Sequence, residues 1–152
     1  MLEIGSAAPD VELEDTDGRA VHLPGDRAVL VYFTRSTSCP VCNRHVRDLA
    51  RRRDAFAASD VRILVAVPAD REEAAAWKDA RGVPFPVVVG RQGTPHASIG
   101  LTRKVFGSMQ QSGWVLIDSG GIVRHARAAT MPTGGYDAKA VTAAVESLRA
   151  RP

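Results

Sequence analysis

The sequence predicts an α/β domain in which a mixed β-sheet is flanked by helices and preceded by a β-hairpin. Residues 28–33 and 61–67 are continuous apolar runs, too short for helices and rich in β-forming residues, which is typical of strands buried on both faces. Each run precedes an amphipathic segment, so the chain contains a βαβα unit. Residues 114–118 and 122–126 are joined by three residues, too few for a parallel crossover, which indicates an antiparallel pair.

The first elements can be assigned from turns and spacing. Residues 11–15 and 19–23 flank the dipeptide Asp17-Gly18, which suits the tight turn of a hairpin. The spacing then predicts an amphipathic helix from Pro40 to about Ala58. Its apolar face comprises Cys42, Val46, Leu49 and Phe56, with Asn43 and the arginines elsewhere.

The later elements follow the same logic. Asp70 and Glu73 have the spacing of a capping box, and the helix that they begin ends at Gly82. Residues 85–89 are predicted to form a short strand, whereas residues 90–112 have no assigned structure. A last helix, from Tyr136 to Ala150, carries Val141, Ala144, Val145 and Leu148 on one face.

Composition and charge narrow the function classes. The 152 residues are 45% hydrophobic and 24% charged, as in a globular protein, so we expect one domain over residues 1–152. We expect neither a membrane span nor secretion, because no run of 18 apolar residues occurs and residues 1–10 lack a basic and an apolar region. The expected compartment is the cytoplasm. Nucleic-acid binding is not expected despite a net charge of +3, because the basic residues are scattered and only 5% of residues are aromatic.

The chemistry concentrates at a pair of cysteines, Cys39 and Cys42. Cys39 lies at a junction between a strand and a helix, and Pro40 suits the first helical position, so Cys39 is predicted to be the N-cap. There the free N–H groups and the helix dipole stabilise a thiolate, which lowers its pKa below the roughly 8.5 of free cysteine. Cys42 follows about one turn later, so the two sulfurs can form a disulfide.

The positions also predict separate roles. Cys39 would attack, and Cys42, on the apolar face and therefore the more buried of the two, would resolve the sulfenic acid or mixed disulfide. One alternative is that both are incidental small hydrophobic residues. A zinc site is another, but the pair supplies two ligands and His45 a crowded third, without a fourth. We expect no metal and no cofactor.

Four segments spread along the sequence carry a resemblance: residues 5–13, Cys39-Pro40, Phe85-Pro86 and residues 115–124. Through them, nearly the whole chain resembles the thioredoxin-fold, peroxiredoxin-like proteins of the AhpC/TSA (redoxin) family, in the subgroup with a Cys-Pro-x-Cys motif. Residues 5–13 are similar to the family's G-x-x-A-P-x-F-x-L opening, Phe85-Pro86 to its FPLL segment, and residues 115–124 to its FVIDxxGxIR hairpin. The resemblance implies a thioredoxin-like fold.

The resemblance also implies catalytic residues. The family signature P-x-x-x-T/S-x-x-C maps onto residues 32–39, which places Ser36 where a hydroxyl can donate to a peroxide oxygen, but Tyr32 where proline stands. Arg35 matches an arginine of the Cys-Pro-x-Cys subgroup and could supply a positive charge, or it could simply face solvent. A later family arginine corresponds to Ser112, and the cis-proline of thioredoxin-like reductases corresponds to Gly113.

Three functions therefore remain open. The first is a thiol peroxidase that reduces hydroperoxides, with thioredoxin or a low-molecular-weight thiol as reductant. The second is a thioredoxin-like oxidoreductase that acts on protein or small-molecule disulfides. The third is a redox-responsive module without turnover. A homodimer is one option for the assembly.

The histidines and tryptophans are predicted to have structural and not catalytic roles. His22, His96 and His125 are expected at the surface, and His45 is expected to point away from Cys39. Trp77 and Trp114 are expected in the core, Trp114 opposite the thiol site.

Overall fold

The computed structural model describes residues 1–104 and 109–149. The strands are β1 (Val11–Asp15), β2 (Ala20–Leu23), β3 (Ala28–Phe33), β4 (Val61–Ala66), β5 (Val87–Gly90), β6 (Arg103–Lys104), β7 (Met109–Gln110), β8 (Ser112–Ile117) and β9 (Val123–Ala129). The helices are α1 (Pro40–Ala58), α2 (Arg71–Arg81), α3 (Pro95–Ser98) and α4 (Ala138–Arg149), with a 3₁₀ turn at Pro132–Gly134 before α4.

Seven strands form one mixed sheet in the order β2-β1-β5-β4-β3-β8-β9. β4 lies parallel to β3 and β5, whereas the hairpin strands and β8 and β9 pair antiparallel. β3 lies inside the sheet, as its uninterrupted apolar sequence predicts, and all six of its residues are buried. Its carboxyl end leads directly into the loop before α1.

The alternation of side chains along β3 divides the core in two. Ala28, Leu30 and Tyr32 face a cluster that contains the apolar residues of α1, α2 and α4 and both cysteines. Val29, Val31 and Phe33 face the opposite cluster, which Ile99, Leu101 and residues from the N-terminal part of the chain complete. The cysteines therefore lie on the helix-covered face of the sheet.

The predicted mixed sheet and the N-terminal hairpin are confirmed, with differences at the boundaries. The short strand begins at Val87 instead of Phe85, because Pro84 and Pro86 have no N–H to donate to a ladder. Asp70 caps α2 and Gly82, with a φ of 60°, ends it. The unassigned stretch 90–112 contains α3, β6 and β7 in its described part. The predicted end of the last helix, Ala150, lies outside the described residues.

In the described part of the chain, no helix combines the length and the apolar composition that crossing a membrane would require.

Candidate active site

Cys39 is the N-cap of α1, as predicted. Its backbone is extended (φ −74°, ψ 112°), and its sulfur accepts the N–H of Cys42 at 3.2 Å. Pro40 occupies the first turn of the helix, which contains no acidic residue that would oppose a negative charge on the sulfur. The sulfur thus lies at the positive end of a 19-residue helix.

The two cysteines are free thiols, and both are buried, with 1% exposure for Cys39 and 0% for Cys42. The expected difference in burial is therefore too small to separate their roles. Their pKa values do separate them. Burial alone raises the pKa of Cys39, but hydrogen bonds from the thiol and amide of Cys42, and then Arg35, outweigh it and lower that pKa. Burial and the hydrogen bond to Cys39 raise the pKa of Cys42 to about 11.

Arg35 contacts both sulfurs. Its side chain bonds to Cys39 and lowers the pKa of that thiol, while its backbone N–H donates to the sulfur of Cys42 at 3.3 Å. The side chain is half-buried, and its Nε is a buried donor without a partner among the described residues. The sequence left two roles open for Arg35, a positive charge at Cys39 or a side chain that simply faces solvent. This placement favours the first.

The loop that carries Arg35 is attached to both neighbouring helices. Thr37 donates its hydroxyl to Glu73 of α2 at 2.8 Å and accepts the Asn43 amide on its carbonyl at 3.4 Å. Asn43 is 5% exposed and also accepts the indole N–H of Trp77 at 3.0 Å. The prediction that Asn43 lies off the buried face of α1 is wrong, because α2 covers that side of the helix and its polar atoms are paired there.

A second network begins at Tyr32, behind Cys42. The buried Tyr32 hydroxyl bonds to the Cys42 thiol and lies 2.7 Å from Nδ1 of His45. The ring of His45 lies 5.0 Å from that of Tyr136, whose hydroxyl donates to Asp48. Helical spacing predicts that the ring of His45 points away from Cys39. It did not reveal the connection to Cys42, because that runs through a residue of β3.

His96 lies in the interior of the protein. It was expected at the surface, but it is fully buried beneath Phe33, and its Nε2–H donates to the carbonyl of Thr34 at 2.6 Å. Burial lowers the pKa of His96 to about 4, so the neutral ring supports the start of the thiol loop. Trp77 and Trp114, by contrast, are buried as predicted, at 7% and 3% exposure.

A cleft of about 250 Å³ adjoins Cys39. It is lined by Ser38, Pro40, Asn43, Arg44, Arg47 and Arg81. A larger cavity of about 410 Å³ lies at the other end of α1, beside Asp60 and Asp118, and has no thiol in its lining. The smaller cleft is therefore the candidate binding site, because it adjoins the thiol. Its three arginines favour an anionic or strongly polar ligand.

The AhpC/TSA family matches residues 4–126, which contain the whole sheet up to β9 and the cysteine loop. The chain belongs to the AhpC/TSA family. Peroxiredoxin Bcp of Bacillus subtilis is 29% identical over 90 residues, which cover 58% of this chain. The chloroplastic peroxiredoxin Q of Oryza sativa subsp. japonica is 25% identical over 123 residues, or 80% of this chain. Each match spans 57% of the relative's own length.

Solved structures show the same fold at lower identity. Peroxidoxin BcpB from Mycobacterium tuberculosis superposes with a TM-score of 0.79 at 20% identity, covering 100% of this chain and 99% of that one. A candidate thiol:disulfide interchange protein DsbE from Chlorobium tepidum superposes with a TM-score of 0.76 at 19% identity, covering 97% and 99%. The thioredoxin-like fold is therefore confirmed.

The positions that depart from the AhpC/TSA pattern have structural consequences. Ser112, at the place of the family's arginine, is fully buried, and its hydroxyl has no partner among the described residues. Gly113 pairs with Phe33 on one side and Ala128 on the other, so it is an internal residue of the sheet. The hydroxyl of Ser36 lies 3.3 Å from that of Ser38 at the loop surface.

Proposed function

We propose that this protein is a thiol peroxidase that reduces hydroperoxides through a Cys39–Cys42 dithiol–disulfide cycle. The observation that carries the proposal is the environment of Cys39, where a helix N-terminus, the Cys42 donors and Arg35 together lower the pKa of the thiol. The second thiol, Cys42, lies about one helical turn further along α1. Membership of the AhpC/TSA family and the similarity to peroxiredoxins support the same activity.

The first step is attack of the Cys39 thiolate on the terminal oxygen of the hydroperoxide. A sulfur–oxygen bond forms, the oxygen–oxygen bond breaks, and the departing alkoxide or hydroxide takes up a proton. Cys39 becomes a sulfenic acid, and the peroxide is reduced to an alcohol or water. Cys42 then attacks this sulfur, and a disulfide and water are formed.

Arg35 and Ser36 are the residues that we propose to orient the peroxide. The Arg35 guanidinium already bonds to the Cys39 sulfur and has a buried donor to spare. Ser36 would have to turn from Ser38 to reach a peroxide oxygen. With Ser112 at the place of the family's arginine, Arg35 supplies the positive charge from the loop instead of from β8.

An external thiol completes the cycle by reducing the disulfide, and we propose thioredoxin or a low-molecular-weight thiol in the cytoplasm. The arginine-lined cleft beside Pro40 is the approach that we assign to the reductant, because it adjoins the residues on either side of Cys39. A thiolate or carboxylate would be attracted there by Arg44 and Arg47.

The second candidate is a thiol–disulfide oxidoreductase, which the Cys-x-x-Cys pair at a helix N-terminus favours by itself. Two observations weigh against it. Cys39 is only 1% exposed, and a small hydroperoxide needs a smaller opening in the protein surface to reach its sulfur than a protein disulfide does. Position 113 holds a glycine paired on both sides instead of the cis-proline of thioredoxin-like reductases.

Rapid mixing of the reduced protein with hydrogen peroxide tests the peroxidase. Trp114 belongs to the same core cluster as both cysteines, so its fluorescence should report their oxidation. We expect a second-order rate constant far above that of a free thiolate, and no signal change in the Cys39→Ser variant. A rate no better than free thiol, with organic hydroperoxides as well, together with efficient reduction of insulin disulfides, would move the second candidate to first place.

Replacement of Arg35 by Gln should raise the pKa of Cys39, because the positive charge stabilises the thiolate and not the thiol. At neutral pH, less thiolate remains, and we expect the rate of peroxide reduction to fall by about tenfold or more, since each pKa unit corresponds to a factor of ten. The pH dependence of Cys39 alkylation by iodoacetamide measures the shift. Arg35→Lys, which keeps the charge, should recover part of the effect, and an unchanged midpoint in Arg35→Gln would remove Arg35 from the site.

A further inference from the structure

Two side chains, Tyr32 and His45, connect the buried Cys42 with the protein surface. Tyr32 is fully buried near the carboxyl end of β3, in the same core cluster as Cys42, and its hydroxyl stabilises the Cys42 thiolate as a hydrogen-bond partner. The same hydroxyl lies 2.7 Å from Nδ1 of His45, whose ring meets that of Tyr32 edge-on at 5.6 Å. His45 is half-buried, so part of its side chain borders solvent.

Cys42 needs an acceptor for its proton. Burial and the bond to Cys39 raise its pKa to about 11, so it is a thiol at neutral pH and must lose a proton when it forms the disulfide. Its described partners are the Cys39 sulfur, the N–H of Arg35 and the Tyr32 hydroxyl. The N–H has no capacity to accept a proton, and a proton on Cys39 would remain within the reacting pair. The Tyr32 hydroxyl is the partner that can pass the proton on, because it also contacts His45.

We propose that Tyr32 and His45 form a proton relay that deprotonates Cys42 as the disulfide forms. The proton of Cys42 passes to the Tyr32 oxygen, and the Tyr32 proton passes to Nδ1 of His45, which releases one to solvent. The Cys42 sulfur uses the freed electron pair to bond to Cys39, and the leaving group departs from Cys39 with the electrons of the broken bond. For a sulfenic acid, that group is hydroxide, which takes a proton from solvent and becomes water. The relay rests on the proposed dithiol cycle.

The surroundings of His45 suit this role. Four titratable or charged side chains face it: Tyr32 from β3, Tyr136 from the segment before α4, and Arg44 and Asp48 from its own helix. Burial, reinforced by Arg44 and opposed by Asp48, lowers the pKa of His45. The ring is therefore neutral at neutral pH, and with its hydrogen on Nε2 its Nδ1 accepts from Tyr32. As the pH falls through this lowered pKa, Nδ1 becomes protonated and the relay should fail.

The test uses dithiobis-nitrobenzoate, a disulfide that releases a coloured thiolate, so it needs no peroxide. Cys39 attacks it, releasing one coloured thiolate and leaving a mixed disulfide on Cys39. Cys42 then displaces the second thiolate and closes the Cys39–Cys42 disulfide. The first release reports Cys39 and the second reports Cys42. The variants are Tyr32→Phe, which removes only the hydroxyl, and His45→Phe, which keeps an aromatic ring against Tyr136, with His22→Phe in β2 as the control.

We expect both Tyr32→Phe and His45→Phe to slow the second release by about tenfold or more at neutral pH, with the first release unchanged, because general-base assistance contributes at least that much. The second release of the unmodified protein should also decline at acid pH, and this decline should be absent in His45→Phe. A second release in both variants within about twofold of the control would overturn the relay. Because no peroxide is used, a lack of peroxidase activity would leave this result standing.

Discussion

Cys39→Ser should abolish peroxide consumption, whereas Cys42→Ser should still allow one turnover. A serine hydroxyl at position 39 does not ionise near neutral pH, so the helix N-terminus and Arg35 would have no thiolate to stabilise. In Cys42→Ser the nucleophile remains, and the reaction stops at the sulfenic acid. Mass spectrometry after dimedone trapping should find one adduct on Cys39 in Cys42→Ser and none in Cys39→Ser, whose peroxide consumption should equal that of buffer.

The Cys42→Ser variant keeps the backbone N–H that donates to the Cys39 sulfur and replaces the thiol donor by a hydroxyl, so its single turnover should have a rate close to that of the unmodified protein. The assigned roles would be contradicted by equal loss of the first oxidation step in both variants. They would also be contradicted by a dimedone adduct on Cys42 in the Cys39→Ser variant.

Gly113→Ala should cost about 3 kcal/mol of the free energy of unfolding, at the upper end of the usual cost of overpacking. An added Cβ would lie 1.9 Å from the carbonyl oxygen of Arg127 and 3.2 Å from Cα of Ala128. Both are backbone atoms of β9, so β8 and β9 would have to separate next to the pair that Gly113 makes with Phe33. Urea unfolding, followed by circular dichroism, measures the change.

Gly120→Ala is the matched control. It lies in the turn between the same two strands, and its added Cβ would meet only the Asp118 side chain, at 3.4 Å. We expect its stability to change by no more than about 0.5 kcal/mol, as for most surface substitutions. Equal unfolding midpoints for the two variants would show that β8 and β9 accommodate a methyl group at position 113.

The sequence alone predicted the elements that local patterns encode. Continuous apolar runs identified β3 and β4, because a strand covered on both faces carries apolar residues at successive positions. The order Cys39-Pro40 after such a strand identified the N-cap and hence the activated thiol, because capping depends on residues within one turn of the helix. The same reasoning assigned Cys42 the position of its partner one turn later.

Only the tertiary structure decided which side chains from distant elements reach these thiols. The exposure of His96 and Asn43 was predicted wrongly, because their burial depends on Thr34, 62 residues before His96, and on Trp77, 34 residues after Asn43. The orientation of the Arg35 side chain likewise depends on packing. So does the connection that Tyr32 makes between Cys42 and His45. Periodicity reports which face of an element is apolar, but polar contacts between elements are determined by how the sheet and helices dock. Local sequence therefore specified the nucleophile, and tertiary packing specified the charge and the proton path around it.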